Sequence, residues 1–115
     1  LAKIEASAAN VVVIGDTPRS DPDPPVCLSA NLEDASACAV PYAKAVDLAY
    51  RAREATVTAA AGATWVDPTE WVCRTVPCPA IFGRFLIFRD QHHLTATYVR
   101  ALAPRLDGLL PALAP

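Results

Sequence analysis

The chain has 115 residues, 53% of them hydrophobic and 19% charged, enough apolar material for one packed domain and too little charge for a disordered one. Lys and Arg number 10 against 12 Asp and Glu, a formal net charge of −2. That balance lacks the basic excess that binding to a phosphate backbone uses, so nucleic acid is not an expected partner.

The chain opens on Leu1 and contains no Met, so it is read as cut from a longer polypeptide. Leu1 to Ala9 has neither the basic start nor the continuous apolar stretch of a signal peptide, and no run of about 18 apolar residues follows. Any export or membrane segment is expected upstream. Leu1 to Ala8 has helical character, broken at Asn10. Val11-Val12-Val13-Ile14 is an unbroken β-branched run closed by Gly15-Asp16, which predicts a buried parallel strand, apolar on both faces. Thr17 to Pro25 carries four prolines and is predicted to be a surface loop without helix.

From Pro41, Tyr42, Val46, Ala49, Tyr50 and Val57 recur at helical spacing, with Lys44, Asp47, Arg51 and Glu54 opposite. One long amphipathic helix is expected, stopped by Gly62. Thr64-Trp65-Val66 reads as a short strand, and Asp67-Pro68-Thr69-Glu70 carries the capping signals of a brief helix. Ile81 to Arg89 reads as a strand or hairpin. A last helix starts near Thr95 with Tyr98, Val99, Leu102 and Leu106 on one face, and Pro104 predicts a kink or an early end near Ala103.

Strands alternating with helices predict an α/β domain with a mainly parallel sheet. Such a sheet normally has more strands than these, so the chain reads as the C-terminal half of one.

Four cysteines fall in two local pairs, Cys27 with Cys38 and Cys73 with Cys78. Neither pair is the tight CxxC of a zinc site, and their Pro-flanked settings suit disulfides. Of the three possible connectivities the local one is expected, each bridge pinning a short loop that lacks core contacts of its own. Disulfides imply an oxidising compartment outside the cytoplasm; four reduced thiols in a cytosolic protein is the alternative.

The segment most informative about chemistry is Arg89-Asp90-Gln91-His92-His93-Leu94-Thr95, between an apolar strand and an amphipathic helix. In open α/β sheets, ligands bind beyond the carboxyl ends of the strands, where this turn would lie. A carboxylate three residues before an imidazole can accept from one ring nitrogen and leave the other free to take a proton from a hydroxyl. The same spacing also fits an Asp that caps the coming helix, followed by two surface histidines. No Gly-rich phosphate loop exists among the 4 scattered glycines, and no metal or cofactor site is read.

Taken together, Asp90-x-x-His93-Leu94-Thr95 before a final helix, the Val11–Ile14 strand ending in Asp16-Thr17-Pro18, the two cysteine pairs, and Val66-Asp67-Pro68 ahead of Cys73 resemble an SGNH hydrolase-like domain. More closely, they resemble the C-terminal half of the extracytoplasmic SGNH domain fused behind the membrane-embedded part of actinobacterial acyltransferase 3 family proteins. The likeness runs from about Val11 to Leu106. It implies a three-layer, flavodoxin-like α/β fold in which residues 1–115 form a partial domain without the half that bears the nucleophile. It implies a serine esterase or O-acyltransferase in which Asp90 orients His93, the general base. His92 does not stand at the matching position. The partners implied are an acyl donor, a hydroxyl-bearing envelope glycan or glycolipid, and the membrane-embedded region of the same protein.

The family's Gly-Asp-Ser block and the Gly and Asn of its oxyanion hole cannot be placed in this chain. Gly15-Asp16-Thr17 imitates the first with Thr for Ser, but Pro18 follows where a helix should start, and only Asn31 offers an Asn downstream before the histidine turn. A strand end followed by a Pro turn is the simpler reading. Asp67 is expected to be a helix cap, and Tyr42, Tyr50, Trp65 and Trp71 core aromatics rather than a sugar-stacking platform. Arg84 and Arg89 could steer an anionic donor or merely close strands. Three functions therefore stay in play: the Asp-His part of a triad, a non-catalytic module that binds or docks envelope carbohydrate, and a small esterase using Thr17.

Overall fold

A computed structural model describes residues 1–111. After a short helix α1 (Ala2–Glu5), strand β1 (Val12–Ile14) pairs in parallel with β2 (Thr64–Val66), in the register Val12 to Thr64 and Ile14 to Val66. Between them lie helix α2 (Pro24–Ala30), a 3-10 turn (Ala35–Cys38), and helices α3 (Tyr42–Ala45) and α4 (Leu48–Ala60). Helix α5 (Thr69–Val72), the antiparallel hairpin β3 (Ile81–Phe82) and β4 (Phe85–Leu86), and helix α6 (Ala96–Asp107) complete the order. The class is mixed α/β with a parallel strand pair, consistent with an SGNH-like fold. The Ile81–Arg89 segment does not extend that sheet; it folds on itself around Gly83, whose φ of 58° favours a residue without Cβ.

The prolines of the 17–25 segment do not exclude helix. Asp23 accepts the Val26 N–H at 3.2 Å as N-cap, and Pro24 and Pro25 occupy first-turn positions where a missing N–H costs nothing. The helix expected from Pro41 is interrupted, because Asp47 takes an extended conformation and accepts the Tyr50 N–H at 2.9 Å, starting α4 afresh. Val46 turns into the core at that break, so the predicted apolar stripe is displaced and Tyr50 and Val57 are exposed. In α6, Pro104 neither ends the helix nor stops its ladder, which resumes with Gly108 N–H donating to Pro104 at 3.2 Å.

The core lies around the second disulfide and the hairpin rather than on the sheet. One cluster gathers Val40, Ala45, Val46, Cys73 and Cys78 with Tyr42 against it. The other gathers Val72, Ile87, Phe88, Tyr98 and Leu102, with Trp71, Phe85 and Leu94 packed on it. Both disulfides, Cys27–Cys38 and Cys73–Cys78, have the local connectivity. Their reason differs from the one expected: Cys38, Cys73 and Cys78 are themselves core residues rather than staples on contact-free loops.

Strand β1 is not buried on both faces; Val12 and Val13 are half-buried and Ile14 is 49% exposed. A parallel strand is buried only when neighbours and helices cover it, and among the described residues one edge of β1 has no strand beside it. The molecule is correspondingly open. Its radius of gyration is 16.2 Å, where a compact domain of this length has about 13 Å. Its accessible surface is 7566 Å², where a folded monomer of 12.2 kDa has about 6,100 Å².

Candidate active site

The histidine turn is built outward from buried backbone. Ile87 and Phe88 are 0% and 2% exposed, Phe88 bridges Leu94 in antiparallel fashion, and Thr95 N–H donates to the Ile87 carbonyl at 2.9 Å. Arg89 N–H donates to the His93 carbonyl at 2.8 Å, closing residues 89–93 into a loop whose two ends are clamped to the core. Thr95 finishes the clamp: its hydroxyl donates to the Leu86 carbonyl at 2.6 Å and accepts the Tyr98 N–H at 3.2 Å, capping α6. Thr95, not Asp90, is therefore the helix cap.

Asp90 caps the loop itself. Its Oδ1 accepts the backbone N–H groups of His92 and His93, each at 2.9 Å. His93 Nδ1 stands 2.9 Å from both Asp90 carboxylate oxygens. The His92 amide, then the His93 ring, hold the Asp90 carboxyl down at about 2 from an ordinary 3.8, against a smaller upward push from burial. An ionised carboxylate only accepts, so Nδ1 carries the hydrogen and the lone pair of Nε2 is left free. The His93 side chain is 64% exposed. Arg89 Nε lies 3.9 Å from Asp90 Oδ2, whereas Arg84, in the β3–β4 turn, lies over the Phe85 ring at 5.7 Å.

The turn stands beside the carboxyl end of β1. Gly15 N–H donates to Val66 at 2.8 Å as the strands end, and Asp16 and Thr17 continue into a depression of about 280 Å³ shared with Arg19, Asp47, Tyr50 and His92. Thr17 thus shares a wall with His92 rather than His93, and the next helix after it begins only at Pro24. A long-range tie joins the two segments: Ser20 N–H donates to the Gln91 carbonyl at 2.9 Å, and Gln91 Nε2 donates to Asp21 at 3.3 Å. Nothing in the sequence pattern points to Arg19 or to this tie, whose partners Asp21 and Gln91 lie 70 positions apart, and Tyr50 reads in sequence as a core aromatic.

Asp67 acts as the expected cap, accepting the Thr69 N–H at 3.0 Å, and also pairs with Arg51, which hydrogen-bonds the Tyr42 hydroxyl at 3.3 Å. Tyr42 and Trp71 pack on the core; Tyr50 does not, and is 48% exposed. Among the described residues, no group of three or more His, Cys, Asp or Glu is placed to hold a metal ion, and no helix is long and apolar enough to cross a membrane.

The family profile of the SGNH domain (fused to AT3 domains) matches residues 1–108. No curated protein and no solved structure matches the chain. With the α/β fold, the paired disulfides and the profile spanning nearly its whole length, the chain belongs to the SGNH domains found fused to AT3 domains, an SGNH hydrolase-like acyltransferase or esterase module.

Proposed function

We propose that this chain supplies the Asp-His part of a Ser-His-Asp triad that transfers an acyl group to a hydroxyl of a cell-envelope glycan or glycolipid. The observation that carries the reading is the Asp90 carboxylate held on His93 Nδ1 at 2.9 Å, with Nε2 unengaged among the described residues. A serine from an upstream stretch of the same protein faces Nε2. His93 takes the serine proton as Oγ attacks the acyl carbonyl, and returns it to the departing donor oxygen, leaving an acyl-serine. The acceptor hydroxyl then gives its proton to His93, attacks the ester carbonyl, and the serine leaves with the proton restored. Asp90 stays ionised throughout and stabilises the imidazolium formed in each half.

The excess surface and the uncovered edge of β1 support the reading that residues 1–115 are the C-terminal part of the domain, completed by the segment bearing the serine. Two disulfides support placement in an oxidising compartment outside the cytoplasm, attached to the membrane through the acyltransferase region. The 64% exposure of His93 favours one rival, a binding module whose Asp-His turn no longer reacts.

A fluorophosphonate probe separates them. The expected result is no labelling of this chain alone, labelling of an upstream serine in the longer protein, and a loss of kcat on the order of 10³-fold or more in His93→Ala. Labelling of Thr17 in the isolated chain, or an unchanged kcat in His93→Ala, overturns the proposal; a longer protein without any labelled serine establishes the binding module.

A further inference from the structure

Beside the Asp90–His93 turn, the 280 Å³ depression continues into two others, of about 480 and 290 Å³, and Arg19 lines all three. They form one groove with two unlike ends. At one end Arg19 and Lys44 face a shared hollow, with Gln91 and His92 on its wall. Neither cation is paired with a carboxylate among the described residues. Two of the three carboxylates on these walls hold the local backbone and side chains: Asp21 accepts the Gln91 amide at 3.3 Å, and Asp47 caps α4 through Tyr50 N–H at 2.9 Å. At the other end, Asp16 and Thr17 offer hydrogen-bonding oxygens beside the half-exposed ring of Tyr50.

The groove is anchored rather than draped. Arg19 N–H donates to the Ala45 carbonyl at 3.0 Å, and the next residue, Ser20, donates to Gln91. The guanidinium is therefore carried on backbone tied both to the α3 helix end and to the histidine turn. In a chain of net charge −2, the hollow where Arg19 and Lys44 face a single carboxylate, Asp21, carries a local excess of positive charge. A carboxylate or phosphate oxygen pair matches an Arg fork with a Lys beside it, and sugar hydroxyls match acceptor oxygens and an aromatic face.

We propose that this groove binds an anionic sugar, its carboxylate or phosphate on Arg19 and Lys44 and its ring hydroxyls toward Asp16, Thr17 and Tyr50. Naming the occupant as the acyl acceptor rests on the function proposed above; its binding does not. His92, which lines the groove, and His93, which pairs with Asp90, then have separate tasks on one turn.

Saturation-transfer difference NMR of the protein with D-glucuronate, glucose 6-phosphate and D-glucose tests the site and tells carboxylate from phosphate. Expected are signals from at least one of the two anions at least fivefold stronger than from glucose, lost in an Arg19→Ala/Lys44→Ala variant and restored in part by Arg19→Lys/Lys44→Arg. Binding persists in His93→Ala, so failure of the catalytic reading leaves this result standing. Equal signals from glucose and the anions, or anion signals unchanged in the double Ala variant with its circular dichroism intact, overturn the proposal.

Discussion

At the Asp90 carboxylate, geometry and charge act together. Two backbone N–H groups and the His93 ring all favour its ionised form, which is why its pKa falls to about 2. Because the folded value lies below the ordinary one, the ionised turn is stabilising at pH values above the unfolded pKa, and that contribution is lost as pH falls through about 2. Carbon-detected NMR of the Asp90 carboxyl is expected to show a midpoint near 2, and an acid limb of kcat/KM above pH 4 then belongs to another group. Asp90→Asn keeps an acceptor for the loop amides but no longer dictates which ring nitrogen bears hydrogen. Activity should fall on the order of 10³- to 10⁴-fold, and ¹⁵N shifts of the His93 ring should report a mixed or reversed tautomer. The pairing of Asp90 with His93 is legible in sequence because both lie in one turn. The placing of Arg19 beside the histidine turn is not, since it depends on loops closed from distant parts of the chain.

Elements show the same division between local and distant causes. Asp47, Asp23 and Thr95 cap their helices through bonds three residues long, so the starts follow from residue type once the pattern is aligned on them. Whether a strand is buried is a different matter. Val11 to Ile14 has the composition of a central strand, yet its neighbours across the sheet decide its exposure, and among the described residues only β2 lies beside it. Where β1 ends, the close approach to β2 demands Gly15: a Cβ there would stand 2.9 Å from Trp65 Nε1 and 3.0 Å from Cζ2. Gly15→Ala must push the indole aside, and urea unfolding should report a loss of about 1–3 kcal/mol together with a shifted Trp emission. The same displacement reaches Asp16 and the groove wall, so the variant links sheet packing to the site.

At the scale of the whole molecule, two small cores and two covalent bridges hold a chain with more surface than its mass requires. A domain with so little buried area leans heavily on its cross-links. On the loop-closure account, the Cys27–Cys38 bridge, spanning 11 positions, contributes about 3 kcal/mol, and Cys73–Cys78, spanning 5, about 2 kcal/mol. Thermal unfolding of Cys27→Ser/Cys38→Ser and Cys73→Ser/Cys78→Ser should differ from that order, because the second pair also sits inside a core cluster. Its removal therefore loses packing as well as closure, and is expected to be the more damaging of the two. The pairs are visible in sequence through their spacing, whereas their burial becomes visible only once Val40 is found bridged to Cys78.

Leu32, 87% exposed, protrudes from the ring that Cys27 and Cys38 close. A protease nick there severs the backbone and yet releases nothing: the two pieces stay joined through sulfur, travel as one band without reductant, and part only when a thiol is added.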